Sequence, residues 1–155
     1  MREAVARFVP DGASVCLNTA IEALIPFAAG HELIRQRRRN LTLIGPISDM
    51  LFDQLVGAGC VRQIVAAWVG NVSAGLGHNY RRAVEQGVPG PVEVQDHSNL
   101  TLAFGLKAAA LVHERVFGRM AALQGDEIVD VALEEATREL KRVPQAILDA
   151  ARALA

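Results

Sequence analysis

Residues 40–71 read NLTLIGPISDMLFDQLVGAGCVRQIVAAWVGN, and these residues decide the fold. The apolar run at 41–44 predicts a buried strand that the Gly45-Pro46 pair ends. A second β-rich run lies at 61–69, and apolar residues at helical spacing over 51–56 separate the two runs. A strand, a helix and a strand within about thirty residues are typical of a right-handed parallel crossover. The stretch therefore predicts a parallel α/β sheet.

Two polar loops follow these strands. Ser48 and Asp49 come after the first strand, and Gly70 and Asn71 come after the second. Parallel strands end on one side, and open α/β sheets bind ligands at that carboxyl edge. Helix capping accounts for Ser48 and Asp49 by itself. Contact with an acyl group or phosphate at the helix N-terminus is the second interpretation.

The pattern continues on both sides of this stretch. Short strands are predicted at residues 14–18 and 92–95, and each leads through a polar loop towards a helix. The first of these helices is predicted at residues 22–38. The alternation of strands and helices is typical of an α/β fold, and we expect a three-layer α/β/α arrangement with a mostly parallel sheet.

The last third of the chain changes character. A Gly125-Asp126 turn between two β-rich runs over residues 119–131 predicts an antiparallel hairpin, which we expect at one edge of the sheet. Closing helices are predicted at residues 133–142 and 145–154. Because 155 residues suffice for one substantial core, we expect a single domain over residues 1–155.

Composition excludes several classes of function. Sixteen basic and seventeen acidic residues give a net charge of -1, which provides no general attraction to nucleic acid. No apolar window reaches the length of a membrane span, and the N-terminus lacks a signal peptide, so we expect no membrane association and a cytoplasmic location. The two cysteines and four histidines show no metal-ligand spacing. The sequence thus predicts neither a metal site nor a cofactor.

A further polar cluster follows the strand at 92–95, where His97 lies between Asp96 and Ser98. A Ser-His-Asp triad needs its three groups brought together through space, so adjacent residues do not indicate one. Capping of the next helix by Asp96 or Ser98 is the first interpretation, and ligand contact is the second. We name no catalytic residue. The candidate ligand-binding residues follow the four parallel strands: Asn18, Thr19, Gly45, Ser48, Asp49, Gly70, Asn71, His97, Ser98 and Asn99.

The only tryptophan of the chain is Trp68, near the end of an apolar strand. Its place there predicts a core residue rather than a surface on which a ligand stacks.

Residues 1 to about 103 resemble the alpha subunit of family I coenzyme A-transferases, the glutaconate type. The resemblance is carried by Asp11-Gly12, GPISDMLFDQLVGAGCVR at 45–62, WVGN at 68–71 and EVQDHSN at 93–99. It implies an α/β protein that associates with a beta-type subunit, whose glutamate forms the acyl intermediate. It also implies a coenzyme A thioester as substrate, held partly by a glycine-rich turn after the first strand.

The chain departs from that family at this turn. Asn18-Thr19-Ala20 stand where the family commonly has Gly-Gly-Phe, and Leu24 stands where another glycine is usual before Pro26. A turn with positive φ, or one that a ligand approaches closely, is harder to form without glycine.

From about residue 102 the chain resembles the C-terminal end of bacterial phosphofructokinases. The resemblance is carried by FGLKAAALVHE at 104–114 and FGRMAALQGDEIVDVALEEATRELKRVP at 117–144. In that family the residues that hold fructose 6-phosphate and the nucleotide lie upstream and have no counterpart here. The resemblance therefore implies structure alone, and the sequence looks like a chimera with its joint near residues 99–107.

The sequence predicts a coenzyme A-transferase alpha-subunit-like module, a transferase component that works only with a beta-type partner. The alternative is a stitched α/β domain without enzymatic activity. A homo-oligomer is the other association that we consider. The chain by itself is expected to be catalytically silent.

Overall fold

The computed structural model describes residues 1–17, 24–48, 50–71, 75–139 and 142–153. The predicted ligand residues Asn18, Thr19 and Asp49 lie outside these ranges. The chain divides into two compact units, the N-terminal unit Met1–Ala103 and the C-terminal unit Phe104–Ala155. Their boundary falls at the joint that the two resemblances predict. That the two units make one domain stays a prediction.

The N-terminal unit alternates helices and strands. Its helices are α1 (Arg2–Phe8), α2 (Phe27–Arg35), α3 (Met50–Gly57) and α4 (His78–Gln86). Its strands are β1 (Ser14–Cys16), β2 (Leu41–Ile47), β3 (Val61–Trp68) and β4 (Glu93–Asp96). Helix α5 (Asn99–His113) begins in this unit and contains the boundary.

The four strands form one parallel sheet in the order β1-β2-β3-β4. The predicted α/β class with a mostly parallel sheet is therefore confirmed. The strand order never reverses along the sheet. Since parallel crossovers are right-handed, helices α2, α3 and α4 belong on the same face. The second helical layer of the expected three-layer arrangement stays a prediction.

The core lies between the central strands and α3. Leu43 of β2 pairs in register with Ile64 of β3, and both side chains are fully buried. The apolar face of α3 that the helical spacing predicts is buried as well, through Leu51, Phe52, Leu55 and Val56. Burying one such side chain stabilises the folded state by roughly 1.5–3 kcal/mol. The stretch at 40–71 thus supplies most of the core, as its pattern indicates.

Strand β2 is longer than predicted. It runs through Gly45-Pro46 to Ile47, whereas the sequence predicts that this pair ends the strand. The last residue that β1 pairs with is Ile44, so Pro46 lies beyond that partner. Strand β3 still pairs with Gly45 and Ile47 on either side of Pro46, so the strand continues past a residue that cannot donate a ladder hydrogen bond.

Helix α2 is shorter than the predicted 22–38. It begins after Pro26, which is its N-cap residue, and it ends at Arg35. Arg37 has a φ of 55°, and the N–H of Arg38 donates to the carbonyl of Leu33 at 3.0 Å. A left-handed residue followed by such a backward hydrogen bond is a common helix end. The predicted helix is too long because the spacing of apolar residues does not detect the left-handed conformation of Arg37.

The C-terminal unit holds most of α5 and four further elements. These are β5 (Arg119–Gln124), β6 (Glu127–Ala132), α6 (Leu133–Thr137) and α7 (Gln145–Ala153). Strands β5 and β6 are antiparallel and joined by the predicted Gly125-Asp126 turn, so the hairpin is confirmed. Its expected place at an edge of the parallel sheet is wrong, because the two strands pair with each other in a separate two-stranded sheet.

Burial in the C-terminal unit is slight. Among its described residues only Leu111 is buried. Asp130 on β6 is the centre of its polar contacts, with Arg119 as an ion-pair partner and the Lys107 Nζ 3.2 Å from its carboxylate. The Arg119 guanidinium, followed by the Lys107 ammonium, lowers the pKa of Asp130.

Candidate functional site

The carboxyl ends of the four strands meet at one edge of the sheet, as predicted. Backbone pairing continues just past the strands. The Leu17 N–H donates to the Ile44 carbonyl at 2.9 Å, and the Ser48 N–H donates to the Trp68 carbonyl at 3.0 Å. On the far side, the His97 N–H donates to Ala66 at 3.0 Å. These bonds align the segments that follow the strands. We call this row of segments the carboxyl edge.

Ser48 links the segments after β2 and β3 through a hydrogen bond. It is fully buried, and its hydroxyl oxygen accepts a hydrogen bond of 3.1 Å from the Gly70 N–H. The sequence predicts Ser48 as a helix cap or a ligand contact, and the structure gives its hydroxyl a third role. Ser48 fixes the end of β2 against the loop that follows β3. Its capping of α3 stays a prediction.

Both predicted glycines at this edge sit where a side chain would collide. A Cβ at Gly45 would lie 2.7 Å from the Leu17 carbonyl oxygen. A Cβ at Gly70 would lie 2.6 Å from the indole of Trp68. Separations below 3.0 Å force a shift of the surrounding atoms. At Gly45 the neighbour is a backbone oxygen, so close approach within the edge accounts for the glycine without a ligand, whereas at Gly70 the neighbour is a side chain that can shift.

Trp68 is not a core residue. Its side chain is 45% exposed and lies over Gly70, so the sequence prediction is wrong. Trp68 is the last residue of β3. An exposed indole is thus part of the carboxyl edge.

Asn71, which follows β3, makes several hydrogen bonds. Its backbone exchanges hydrogen bonds with Gly75, at 2.8 and 2.6 Å, and its Nδ2 donates to the Leu76 carbonyl at 3.3 Å. The residue is only 9% exposed. Its Oδ1 atom is buried and has no hydrogen-bond partner in the described part of the chain.

The segment after β4 confirms the capping interpretation. The Ser98 hydroxyl accepts from the Thr101 N–H at 3.1 Å, and the Thr101 hydroxyl accepts from the Ser98 N–H at 2.9 Å. This reciprocal pair caps helix α5 at its N-terminus. His97 and Asn99 are exposed beside it. The His97 Nδ1 lies 3.4 Å from the Thr101 hydroxyl, which is a weak contact.

Asp53 is a polar residue that the sequence analysis missed. It lies on α3 but serves α4, because its Oδ1 accepts from the Tyr80 N–H at 2.9 Å and its Oδ2 accepts from the Asn79 side chain at 3.0 Å. A carboxylate at this position satisfies a free N–H and complements the helix dipole. The residues next to Asp53 in the sequence give no indication that it caps another helix.

Tyr80, whose backbone N–H donates to Asp53, also carries a phenol with a shifted pKa. Burial, and then the nearby Asp96 carboxylate, raise the pKa of the Tyr80 phenol. The phenol therefore stays protonated over the physiological range, as a hydrogen-bond donor and not as a base.

The arrangement at this edge favours binding over reaction. No hydrogen bond joins Ser48 to His97 within the described chain, so a nucleophile activated by a neighbouring base is not assembled there. Among the described residues, no group of three or more His, Cys, Asp or Glu side chains could hold a metal ion. What the described part of the edge offers is backbone loops and an exposed indole.

Among the described residues of the N-terminal unit, two cavities lie away from the carboxyl edge. The larger, of about 770 Å³, lies beside α1 and α2 and is lined by Arg2, Ala6, Glu32, Arg35, Gln36 and Arg38. The smaller, of about 340 Å³, lies at the amino ends of β2 and β3 and contacts Asn40, Gly59 and Arg62. Neither cavity is lined by a predicted ligand residue.

At the opposite, amino edge of the sheet, Arg39 makes hydrogen bonds to the backbone. Its guanidinium donates to the Ala58 and Gly59 carbonyls at 3.0 and 3.2 Å and lies 3.8 Å from the sulfur of Cys60. Burial raises the pKa of the Cys60 thiol, and the Arg39 charge opposes that shift. The Arg39 guanidinium is therefore already engaged with backbone carbonyls at this amino edge.

Comparison with known proteins gives a match for each part of the chain. Over 110 residues the chain is 44% identical to the A subunit of the 3-oxoadipate CoA-transferase of Pseudomonas knackmussii, an alignment that covers 71% of this chain and 39% of that protein. It is 26% identical over 146 residues to the A subunit of the glutaconate CoA-transferase of Acidaminococcus fermentans, covering 93% of the chain and 44% of that protein. The chain thus spans less than half of the length of either relative.

The C-terminal region matches a different protein. Over 50 residues the chain is 46% identical to a pyrophosphate–fructose 6-phosphate 1-phosphotransferase of Streptomyces coelicolor, which covers 32% of this chain and 15% of that enzyme. Both resemblances predicted from the sequence are confirmed. No protein-family model matches the chain.

A solved structure agrees with the fold. Glutaconate coenzyme A-transferase from Acidaminococcus fermentans superposes with a TM-score of 0.67 at 24% identity, over 80% of this chain and 38% of that one. At this identity the likeness supports the α/β fold alone. The chain is therefore similar in sequence to the A subunits of CoA-transferases and similar in fold to a CoA-transferase. In the described residues, no helix is long and apolar enough to cross a bilayer.

Proposed function

We propose that this chain is a module like the A subunits of CoA-transferases, and that it supports transfer of coenzyme A between an acyl thioester and a carboxylate only when a beta-type subunit joins it. The observation that carries the proposal is the 44% identity over 110 residues to one such CoA-transferase chain. That alignment is long enough to include most of the N-terminal unit, which holds every predicted ligand residue.

The thioester binds across the carboxyl edge in this proposal. The described segments involved are 45–48, 70–71 and 96–99, and the predicted site also includes Asn18, Thr19 and Asp49. Support comes from the common edge that the parallel strands create, where open α/β sheets bind ligands. The exposed indole of Trp68 adds an apolar surface to this edge.

Within the described residues, the carboxyl edge holds no assembled reacting group. No described residue at the carboxyl edge pairs a nucleophile with a base, so the covalent step belongs to the partner. Loss of the nucleophile from a covalent mechanism removes a large part of the rate, on the order of 10⁶-fold in one protease. Binding without turnover is the expected property of the isolated chain.

The direct test is an acyl-exchange assay between thioesters and free acids. The purified chain is assayed alone and after mixing with the beta-type subunit of a 3-oxoadipate CoA-transferase. Turnover that requires both proteins supports the proposal. Turnover by the chain alone that His97→Ala or Ser48→Ala abolishes would contradict it, because an active site would then be complete in one chain.

A non-catalytic, stitched α/β domain is the second candidate. It is favoured by the unit boundary after Ala103, close to the place where the similarity changes from one family to the other. Absence of both thioester binding and partner-dependent turnover would select this alternative. A homo-oligomer in place of the beta-type partner would be recognised by light scattering of the same sample.

A further inference from the structure

The cavity beside α1 and α2 is lined by three arginines and one carboxylate. Its volume is about 770 Å³, and the arginines are Arg2, Arg35 and Arg38. Glu32 is the only acid among the described residues of its lining, so two positive charges have no negative partner there. The whole chain carries a net charge of -1, so the excess of positive charge is local to this cavity.

A network of hydrogen bonds connects the residues of the cavity wall. The buried Glu32 carboxylate forms an ion pair with Arg35 and accepts from the Gln36 side-chain amide at 2.9 Å. The same amide donates to the Arg2 carbonyl at 2.8 Å and accepts from the Arg38 guanidinium at 3.0 Å. Gln36 therefore links α1 to the end of α2, and the single carboxylate of the wall is already engaged.

The helix dipole does not explain all three arginines. Arg35 and Arg38 lie at the C-terminal end of α2, where a cation is favourable. Arg2 is the first residue of α1, where a cation is unfavourable. Its exposed guanidinium has no hydrogen-bond acceptor among the described residues, and the Arg35 side chain is 70% exposed. Both guanidinium groups are therefore accessible to a ligand from solvent.

We propose that this cavity binds a phosphate group. A guanidinium donates two parallel hydrogen bonds to phosphate oxygens, which makes arginine well suited to this ligand. A phosphate dianion balances the two unpaired positive charges of the lining. The volume lies in the range of small-molecule sites, so the cavity has room for inorganic phosphate or for a phosphate monoester. The inference goes beyond the proposed function and does not depend on it, because the cavity lies away from the carboxyl edge.

The test is an NMR titration of the whole chain with inorganic phosphate, compared with sodium chloride at equal ionic strength. We expect saturable shifts of the Gln36 side-chain amide with phosphate alone. Arg2→Ala should weaken phosphate binding about tenfold, because it removes one charge-assisted hydrogen bond. The variant keeps the backbone carbonyl that accepts from Gln36, so the cavity wall stays connected.

Arg7→Ala is the matched control. It removes the same charge from α1, but Arg7 does not line the cavity, so the affinity for phosphate should not change. Equal weakening by Arg2→Ala and Arg7→Ala would show a general effect of surface charge and overturn the inference. An affinity that Arg2→Ala leaves unchanged would overturn it too. The wild-type chain gives a test that needs no variant, since absence of saturable phosphate binding to it contradicts the inference.

Adenosine 5′-monophosphate distinguishes the two sources of the phosphate group. Tighter binding of this nucleotide than of inorganic phosphate, weakened by Arg2→Ala and not by Arg7→Ala, supports a phosphate monoester as the ligand. Tighter binding of inorganic phosphate, with the same dependence on Arg2, supports the free ion.

Discussion

The two units of this chain differ in what holds them together. The N-terminal unit buries a continuous cluster built from α3 and the central strands, including Leu43, Phe52 and Ile64. In the C-terminal unit the described residues bury only Leu111, while Phe117 is 74% exposed and Leu123 is 49% exposed. The comparison teaches that regular helices and strands form in both units but that the described residues build a core in only one. Secondary structure alone does not make a stable unit, because apolar burial is the main stabilising term.

The largest expected effect tests this contrast directly, by replacing one strand leucine with alanine in each unit. Leu43→Ala should destabilise the N-terminal unit by about 2–5 kcal/mol, since it empties a fully buried site. Leu123→Ala should change stability by less than about 0.5 kcal/mol, as exposed substitutions do. Denaturant unfolding is followed by far-UV circular dichroism, which reports on the helices and strands of both units. Equal effects of the two substitutions would contradict the contrast.

A polar contact inside the well-packed unit gives a smaller effect. Asp53→Ala should cost about 1–3 kcal/mol, because it leaves the Tyr80 N–H without its buried acceptor. Glu85→Ala on the same helix is the matched control, since it removes only the exposed ion pair with Arg81. That control should cost less than about 1 kcal/mol. A loss for Glu85→Ala as large as that for Asp53→Ala would show that the cap is unimportant.

Leu24 offers a substitution that should strengthen the N-terminal unit. It has a φ of 66° and is 86% exposed. A left-handed conformation costs a non-glycine residue about 1–2 kcal/mol, and glycine adds about 0.5–1 kcal/mol of unfolded-state entropy. Leu24→Gly should therefore stabilise the chain by about 0.5–1 kcal/mol in chemical denaturation. Leu24→Ala keeps the strained backbone, so a gain of equal size for alanine would refute this explanation.

The smallest effect concerns pH and the C-terminal unit. The pKa of Asp130 is lowered by Arg119 and Lys107 from its ordinary value of 3.8. A carboxyl group with a lowered folded-state pKa stabilises the fold above its unfolded pKa, and this contribution is lost as the pH falls through the lower folded value. We expect a small loss of stability below pH 3.8 that Asp130→Asn removes. NMR titration of Asp130 with a midpoint above 3.8 would be the opposite result.

Much of the parallel sheet could be predicted from the sequence. The apolar run at 41–44 and the later run at 61–69 locate two strands because buried parallel strands are continuously apolar. The Ser98 cap could be predicted too, since a hydroxyl residue that starts a helix is a local signal. Both predictions depend on residues that are close in the chain.

The features that the sequence did not predict depend on residues far apart. Asp53 caps a helix more than twenty residues away, and nothing beside Asp53 in the sequence shows where that helix will begin. Trp68 fits the apolar pattern of its strand, but the pattern does not show that burial ends before this residue. The separate pairing of the hairpin is also a long-range choice, because the β-rich runs of β5 and β6 suit an isolated ribbon and a sheet edge equally well.

The central claim is that the carboxyl edge of the N-terminal unit binds a coenzyme A thioester. Backbone hydrogen exchange of the whole chain, with and without saturating coenzyme A, tests it most directly. The account predicts slower exchange at the Gly70 and His97 amides and no change at Gly59 and Cys60 on the opposite edge. Protection confined to Gly59 and Cys60 on the amino edge, or no protection at either edge, would contradict the account.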